Sequence, residues 1–425
     1  MEKTTARKST ESARKVRALV KNLYRRAHEA KKEGKKVAYC MVGSLYDEIL
    51  RAMDIVPVWT ENYAGLCAAK RVAEEYLLKA ESEGYSNLIC GYARTGIGFD
   101  ALRKELGQIP EGAPDGGMPE PDFLLGSSYI CDPRYKWYQA LLHYMDTPIY
   151  NIDVLVPPVG VDVDEVEEDY INYQVEELRG LISFLEYHTG KKMDYDRLMY
   201  IVDLAERTRR KWWEAYELRK NKPCPMPAED HFNIFVPHHF MLGEEETYRF
   251  YEELYNELKE KVDKGIGVVK EEKFRLLWGG GLPPWHSMYI FNYFEEKGAV
   301  FVAETAYRPL EPIDVPENIK DPLRIIAYRA YKRFTYRHKK AMENTGNPNV
   351  ELLLELIKEY DADGVVMHGS LSCRASTIGQ IHFKNLIQRY VKIPVMFMES
   401  DIVDIRDYSE AETKRKIDDF IETLG

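Results

Sequence analysis

Apolar residues recur along this chain at two spacings, and the spacing changes in blocks. Short runs rich in Val, Ile and aromatic residues predict strands at VAYCMV (37–42), IVPVW (55–59), NLIC (87–90), DFLLGSSYI (122–130) and PIYNIDV (148–154). Amphipathic segments of helical length near 45–53, 64–83, 99–107 and 135–145 separate them. Strands and helices in alternation imply a parallel sheet with helices on both faces. From about 164 to 264 the pattern turns helical and highly charged, as in RLMYIVDLAERTRRKWWEAYELRK, and the Pro-rich break NKPCPMPAEDHFNIFVPHH interrupts it. Alternation resumes with FRLLWGGG (274–281), AVFVAE (299–304), GVVMHGS (364–370) and PVMFMES (394–400), and a helix from about 409 closes the chain. The expected fold class is therefore α/β: two doubly wound parallel-sheet domains, 37–163 and 266–425, joined by a helical middle section, 164–265, and preceded by a basic helix, 1–36. No internal repeat is visible.

A chain of 425 residues is long enough for two or three domains with cores of their own. The net charge of −11 argues against nucleic acid as a partner, because phosphate binding draws on clustered Lys and Arg. One local exception stands at the start. Residues 1–36 hold thirteen Lys or Arg against four Glu, with Val16, Leu19, Val20, Leu23 and Tyr24 at helical spacing. This segment reads either as an amphipathic helix docked on its own protein or as a surface for an acidic partner subunit. No apolar run approaches the ~20 residues of a membrane-spanning helix, and the N-terminus lacks the apolar core of a secretory signal. Those absences place the chain in the cytoplasm, with no membrane partner.

Six cysteines in so long a chain do not suggest a disulfide framework. Ligands in open parallel sheets collect beyond the carboxyl ends of the strands, which sorts the six. Cys90 ends the run NLIC, Cys131 follows FLLGSSYI, and Cys373 lies just past GVVMHGS, so all three occupy site positions. Cys40 falls inside a strand and Cys67 inside a helix, where a small buried hydrophobe is the ordinary role; Cys224 reads as a loop thiol. A helix N-terminus favours the thiolate that ligates metal. Three soft thiolates without a His or a C-x-x-C pair fit an iron–sulfur cluster better than structural zinc; the alternative is three unrelated core residues. Gly96, Gly98 and Ala101 also form G-x-G-x-x-A, which opens a second class of function, a nicotinamide- or flavin-dependent oxidoreductase. A dinucleotide loop places its first glycine directly after the strand, whereas Gly96 lies six residues beyond Cys90, so ARTGIG is expected to let backbone approach a cluster or substrate, or to be a plain turn.

Several stretches, in order, resemble the family of 2-hydroxyacyl-CoA dehydratases and ATP-dependent (class I) benzoyl-CoA reductases. They are VGSLYDEILRAMDIVPVWTENYAG, AESEGYSNLICGYARTGIG, PEPDFLLGSSYICDPRYKWYQ, WGGGLPPWHSMYIFNYFEEKGAVFV, MHGSLSCRAS and PVMFMESDIVDIRDYSEAETKRKIDDFIETL. The resemblance runs from about residue 37 to the C-terminus. It implies a four-iron four-sulfur (4Fe-4S) cluster held by three cysteines, which fall on Cys90, Cys131 and Cys373. It implies an acyl-CoA substrate whose thioester carbonyl takes one electron to give a ketyl radical anion. It also implies a homologous second subunit and a separate ATP-hydrolysing iron–sulfur activator. This chain contains no G-x-x-x-x-G-K-[ST], so ATP hydrolysis is assigned elsewhere. A non-catalytic partner subunit of the same fold is a further reading.

Glu61, in WTENYAG, and His286, in GGGLPPWHS, are the candidate proton-transfer groups, since both follow strand ends and both residue types move protons near neutral pH. Arg94 is a candidate for a CoA phosphate or else for a carboxylate, and His368 reads as a core residue. The stretch from MDIVPVW to RTGIG and the GLPPWHS loop look more like the ring-reducing, B-type subunits of benzoyl-CoA reductases than like the dehydratases. An aromatic ring has no leaving hydroxyl, so such an enzyme must hold a flat apolar group and protonate it. Trp59, Tyr63 and Trp285 are the candidate slot. Elimination of water from an (R)-2-hydroxyacyl-CoA is the alternative.

Overall fold

A computed structural model describes residues 6–425, so the first five residues of the basic segment lie outside the described residues. The Thr10 hydroxyl accepts the Ala13 N–H at 3.1 Å and starts a long helix, α1 (Glu11–Lys32). There follow β1 (Val37–Cys40), α2 (Asp47–Ala52), β2 (Val56–Trp59), α3 (Thr60–Ala69), α4 (Ala73–Ser82), α5 (Gly91–Leu106), β3 (Phe123–Ser127), α6 (Asp132–Leu141) and β4 (Ile149–Ile152). The middle section holds α7 (Glu167–Thr189), α8 (Tyr195–Glu217), α9 (Ala228–Phe240) and α10 (Glu245–Asp263). The last part runs β5 (Phe274–Gly279), α11 (Ile290–Glu296), β6 (Ala299–Glu304), α12 (Pro322–Thr335), α13 (His338–Glu343), α14 (Pro348–Glu359), β7 (Gly364–Ser370), α15 (Arg374–Thr377), α16 (Gln380–Tyr390), β8 (Val395–Ser400) and α17 (Glu410–Leu424).

Every strand pairing is parallel, in two four-stranded sheets ordered β2-β1-β3-β4 and β6-β5-β7-β8. This is the α/β class the alternation predicts. The two sheets share one strand order, a doubling that no sequence repeat betrays. Side chains alternate between faces: Ala38 and Cys40 join one apolar cluster, Val37 and Tyr39 the other, and in the second sheet Leu276 and Trp278 oppose Leu277. Sheets covered on both faces need such uniformly apolar strands. In each sheet the order reverses between its first and third strands, β1/β3 and β5/β7, and the crevice beyond those strand ends is where ligands gather.

Three local expectations need correction. Residues 87–90 form a turn and not a strand; Leu88 is exposed, and the apolar run leads into a helix start. The expected helix 64–83 is two, α3 and α4, parted at Arg71, whose φ is +60°. The Pro-rich break contains α9, which carries Pro237 in its last turn. Residues 322–335, far along the chain, join the helical layer, because α12 packs on α7 and α8.

Helix α1 docks on its own protein. Val16, Leu23 and Tyr24 are buried, and α1 packs on α9, β2 and α10. Its cations meet the acidic α10 region: Arg26 stands 2.8 Å from Glu244 and 3.0 Å from Glu246, and Lys15 2.6 Å from Glu253. The middle section is pinned to the second sheet by Arg219 and Glu304, both fully buried. The Arg219 Nη groups reach the two carboxylate oxygens at 2.6 and 2.5 Å, and a third N–H meets the Phe301 carbonyl at 2.9 Å. Among the described residues no helix is long and apolar enough to cross a membrane.

Candidate functional site

Cys90, Cys131 and Cys373 each stand at the residue that precedes a helix, α5, α6 and α15 respectively. Cys131 and Cys373 occupy matching places, each in the loop after the third strand of its sheet, at the crevice where the strand order reverses. Cys90 reaches the same region from the α4–α5 turn. These three thiols are partly exposed, whereas Cys40 and Cys67 are buried, as their ordinary roles require, and Cys224, read as a loop thiol, is buried too.

The three also sense one another. Burial pushes the Cys90 thiol well up, the N–H groups of Ala93 and Tyr92 pull it back, and charge on Cys131 and Cys373 adds to the rise. Cys131 is pushed up to about 11 by burial and by Glu61, against the pull of Arg134. Thiols so placed become thiolates only when a cation shares the site. Among the described residues no three His, Cys, Asp or Glu side chains converge on one metal ion. A cluster spreads its thiolates over separate irons, so ligands to it stand further apart than ligands to a single ion. Three soft sulfurs with backbone N–H groups aimed at two of them fit a cluster.

Around the sulfurs lies a charged pair. Glu61, in the first turn of α3, accepts the Val42 N–H at 2.8 Å and stands 3.3 Å from the Arg134 guanidinium. Arg134, three residues after Cys131, is 3% exposed and donates also to the carbonyls of Val42 and Tyr129 and to the Ser44 hydroxyl. Ile130, just before Cys131, has φ +79° and is 63% exposed. A β-branched residue in that region is strained, and such strain gathers at functional sites. Tyr92, Trp285 and Tyr307 form an aromatic wall: the Trp285 indole N–H donates to the Tyr92 hydroxyl, and Tyr307 stacks on Phe235 at 4.1 Å.

Behind this wall a cavity of about 110 Å³ is lined by Gly43, Leu45, Trp212, His239, Arg308 and Arg333 among others. It shares Arg308 and Arg333 with an outer pocket of about 360 Å³ that adds Lys332, Arg337 and Lys339. In a protein rich in ion pairs, neither Arg308 nor Arg333 has one among the described residues, and the buried Arg308 Nε has no hydrogen-bond partner. The buried Arg308 Nε is the unsatisfied donor here and is free to hold an anion, whereas the exposed Arg333 is solvated. Tyr129, two residues before Cys131, has its ring 4.6 Å from Phe334, and its carbonyl accepts from Arg134 at 2.9 Å. Asp47 also lines the cavity, and burial raises its carboxyl to about 7.

A family model described as 2-hydroxyglutaryl-CoA dehydratase, D-component, matches residues 46–424. The chain belongs to that family. Among curated relatives, the B-type subunit of benzoyl-CoA reductase from Thauera aromatica is 28% identical over 423 residues, covering 96% of this chain and 94% of the relative. The (R)-phenyllactyl-CoA dehydratase alpha subunit of Clostridium sporogenes is 26% identical over 400 residues, 94% of this chain and 92% of the relative. The alpha subunit of (R)-2-hydroxyglutaryl-CoA dehydratase from Acidaminococcus fermentans is 23% identical over 478 aligned positions, 96% of each. This dehydratase and reductase family is thus one of enzyme subunits, lyases or oxidoreductases, and the names of these relatives designate one subunit of a larger enzyme.

For a member of the dehydratase family, the candidate residues divide as follows. Cys90, Cys131, Cys373, Glu61 and Trp285 come together at the site. Trp59 and Tyr63 do not join a slot. Trp59 stacks near Tyr46 and Phe240 and donates to the Phe240 carbonyl at 3.3 Å, and Tyr63 packs edge-on against Tyr24 and Phe99. Both are core residues because the chain enters α3 directly after β2. Arg94 is 1% exposed and committed to Glu81 at 2.8 Å and Asp404 at 3.3 Å, so it meets carboxylates rather than a CoA phosphate. His286 is corrected as a proton donor. Its Nε2 lies 2.9 Å from the Asp401 carbonyl and its Nδ1 2.7 Å from the Ser287 hydroxyl, and burial lowers its pKa to about 4. The ring is neutral at pH 7 with both nitrogens occupied. His368 is a core residue, as expected.

The dinucleotide reading is also corrected. Gly96 and Gly98 lie inside α5, not in a loop after a strand. A Cβ on Gly98 would stand 1.8 Å from the Tyr76 carbonyl oxygen, and one on Gly96 2.0 Å from the Trp137 ring, so these glycines permit close helix packing. Arg134, Tyr307 and the cavity arginines escaped the sequence reading. The run CDPRY places Arg134 near Cys131, but nothing local marks Tyr307, Arg308 or Arg333.

Proposed function

We propose that this chain is the iron–sulfur subunit of a radical acyl-CoA enzyme, working in the cytoplasm with a homologous second subunit and a separate ATP-hydrolysing activator. The observation that carries the reading is the placement of Cys90, Cys131 and Cys373 at three helix starts that face one another across one crevice. Cys90, Cys131 and Cys373 would hold the 4Fe-4S cluster, which when bound supplies one electron at low potential to the thioester carbonyl. The chain's own residues do the rest. Arg308 and Arg333, which have no ion pair among the described residues, bind the phosphates of CoA and align the acyl group toward the cysteines. Tyr129, Tyr307 and Trp285 close the cysteine site against water. Glu61, paired with Arg134, places a carboxylate beside Cys131.

The substrate reading is an aromatic acyl-CoA undergoing ring reduction, supported by the wall of Tyr92, Trp285, Tyr307 and Phe235, which suits a flat apolar group. Dehydration of an (R)-2-hydroxyacyl-CoA is favoured by one other feature, the Glu61 carboxylate, a ready base for the elimination of water. The deciding assay offers the activated complex benzoyl-CoA and a 2-hydroxyacyl-CoA in parallel under strict anaerobiosis. Ring reduction with the hydroxyacyl thioester untouched is expected. Formation of the enoyl thioester alone reverses the choice, and inertness toward both refutes the class.

A further inference from the structure

Asp401, directly after β8, is 2% exposed, and its carboxylate accepts five hydrogen bonds, the longest from the Ser370 hydroxyl at 3.5 Å. Its Oδ1 takes the N–H groups of Val403 and Asp404, each at 2.9 Å. Its Oδ2 takes the Ser372 N–H at 3.0 Å and the Ser372 hydroxyl. With its proton turned to Asp401, the Ser372 oxygen is left an acceptor, and it receives the Gly91 N–H at 3.0 Å. Gly91 is the residue after Cys90 and Ser372 the residue before Cys373. One carboxylate therefore ties together the peptides that carry two of the three site cysteines, which come from different halves of the molecule.

The fit leaves no slack. A Cβ on Gly91 would stand 2.7 Å from Asp401 Oδ1 and 3.2 Å from the Val403 Cβ. The loop that holds Asp401 is anchored on both sides. Its Ile402 and Val403 are buried in the core of the first half, and Asp404 is bound by Arg94 and by Arg406. The Trp285 N–H holds the Ile402 carbonyl at 3.2 Å. No other function described above uses this carboxylate. A buried negative charge close to a redox centre disfavours the reduced form, since reduction adds a further negative charge there.

We propose that Asp401 is a positioning residue of the iron–sulfur site: through Ser372 it fixes the separation of Cys90 and Cys373, and its buried charge holds the reduction potential of the site low. This rests on the cluster reading above, so the test has an arm without cluster. Wild type, Asp401→Asn, Ser372→Ala and Ser372→Thr are reconstituted anaerobically, and iron, sulfide and the midpoint of a mediated redox titration are read. At a fixed solution potential, Asp401→Asn is expected to raise the ratio of reduced to oxidised centre at least tenfold, which is 59 mV for one electron. In the cluster-free chains, bridging of Cys90 and Cys373 by a short bis-maleimide should slow at least threefold in Ser372→Ala and recover in Ser372→Thr. A fully loaded Asp401→Asn chain with the wild-type midpoint overturns the electrostatic part, and unchanged bridging in Ser372→Ala overturns the positioning part. If Asp401→Asn takes up no iron while the wild type does, retained bridging in that variant counts against the proposal and lost bridging supports it. If the wild type takes up no iron, the cluster reading fails, and the bridging rates alone judge the clamp.

Discussion

Replacing Gly98 with Ala separates the packing account of α5 from a ligand-loop account. In a helix interior Ala is better than Gly by about 1 kcal/mol, so propensity alone predicts stabilisation. Sterics oppose it. The new Cβ would lie 1.8 Å from the Tyr76 carbonyl oxygen and 2.6 Å from its carbonyl carbon, where unstrained contact needs roughly 3.5 Å. The obstacle is the backbone of α4, fixed by the buried Tyr76, Leu77 and Ala80, so no rotamer change relieves it. Overpacking costs ~1–3 kcal/mol, occasionally more, and a backbone clash belongs at the upper end. The net expectation is a loss of about 2 kcal/mol. Gly96→Ala meets the Trp137 ring at 2.0 Å, a side chain that can give way, so its net loss should be nearer 1 kcal/mol. Urea unfolding followed by tryptophan fluorescence reads both, and the midpoints should fall in the order wild type, Gly96→Ala, Gly98→Ala. A Gly98→Ala midpoint at or above wild type would refute the packing argument.

Acid should destabilise the chain early. Burial lowers His231, His286 and His368 to about 4 and His239 to about 3, and His238 lies well below its ordinary value. Each takes up a proton on unfolding once the pH falls below about 6.5, so stability is full above 6.5 and is lost toward 4; burial-raised Asp47, Asp100 and Glu229 run the other way but are fewer. A net uptake of about two protons gives a slope of roughly 2.7 kcal/mol per pH unit near pH 5, and a stability that does not fall between pH 6.5 and 5 in urea titrations would contradict it. Glu304→Gln leaves Arg219 buried beside a neutral partner and should cost ~3–5 kcal/mol, read as a lowered urea midpoint; a loss under 1 kcal/mol would show that the pair is not what pins α8 to the second sheet. Ile130→Gly relieves the left-handed backbone next to Cys131 and should add about 0.5–1 kcal/mol to the urea-unfolding stability, whereas a destabilised variant would refute the strain reading.

Most of the fold was legible because the apolar runs that read as strands are strands buried on both faces. NLIC failed for a physical reason: Leu88 and Ile89 are apolar without being interior, and periodicity cannot tell a site rim from a core strand. The hidden helix α9 failed because Pro227 caps its start, where a helix tolerates proline, and Pro237 stands inside its last turn, where the sequence reads as a break. The position of Cys90, Cys131 and Cys373 at helix starts was legible from their place after apolar runs. Trp59 and Tyr63 misled because a residue at a strand end is near the crevice only if its side chain turns that way, and here the chain turns straight into α3. Ser372 accepts from Gly91 across 281 positions of sequence, and Arg134 meets Glu61 across 73. Pairings at that range leave no local trace in a single sequence.

The central claim is that Cys90, Cys131 and Cys373 together hold one iron–sulfur cluster. Anaerobic reconstitution followed by iron and acid-labile sulfide determination tests it most directly, on the wild type and on Ala variants of all six cysteines. The account predicts about four iron and four sulfide per wild-type chain. It predicts the same for Cys40→Ala, Cys67→Ala and Cys224→Ala, and loss of the cluster absorbance in Cys90→Ala, Cys131→Ala and Cys373→Ala. A Cys131→Ala chain that loads iron and sulfide like the wild type would contradict it.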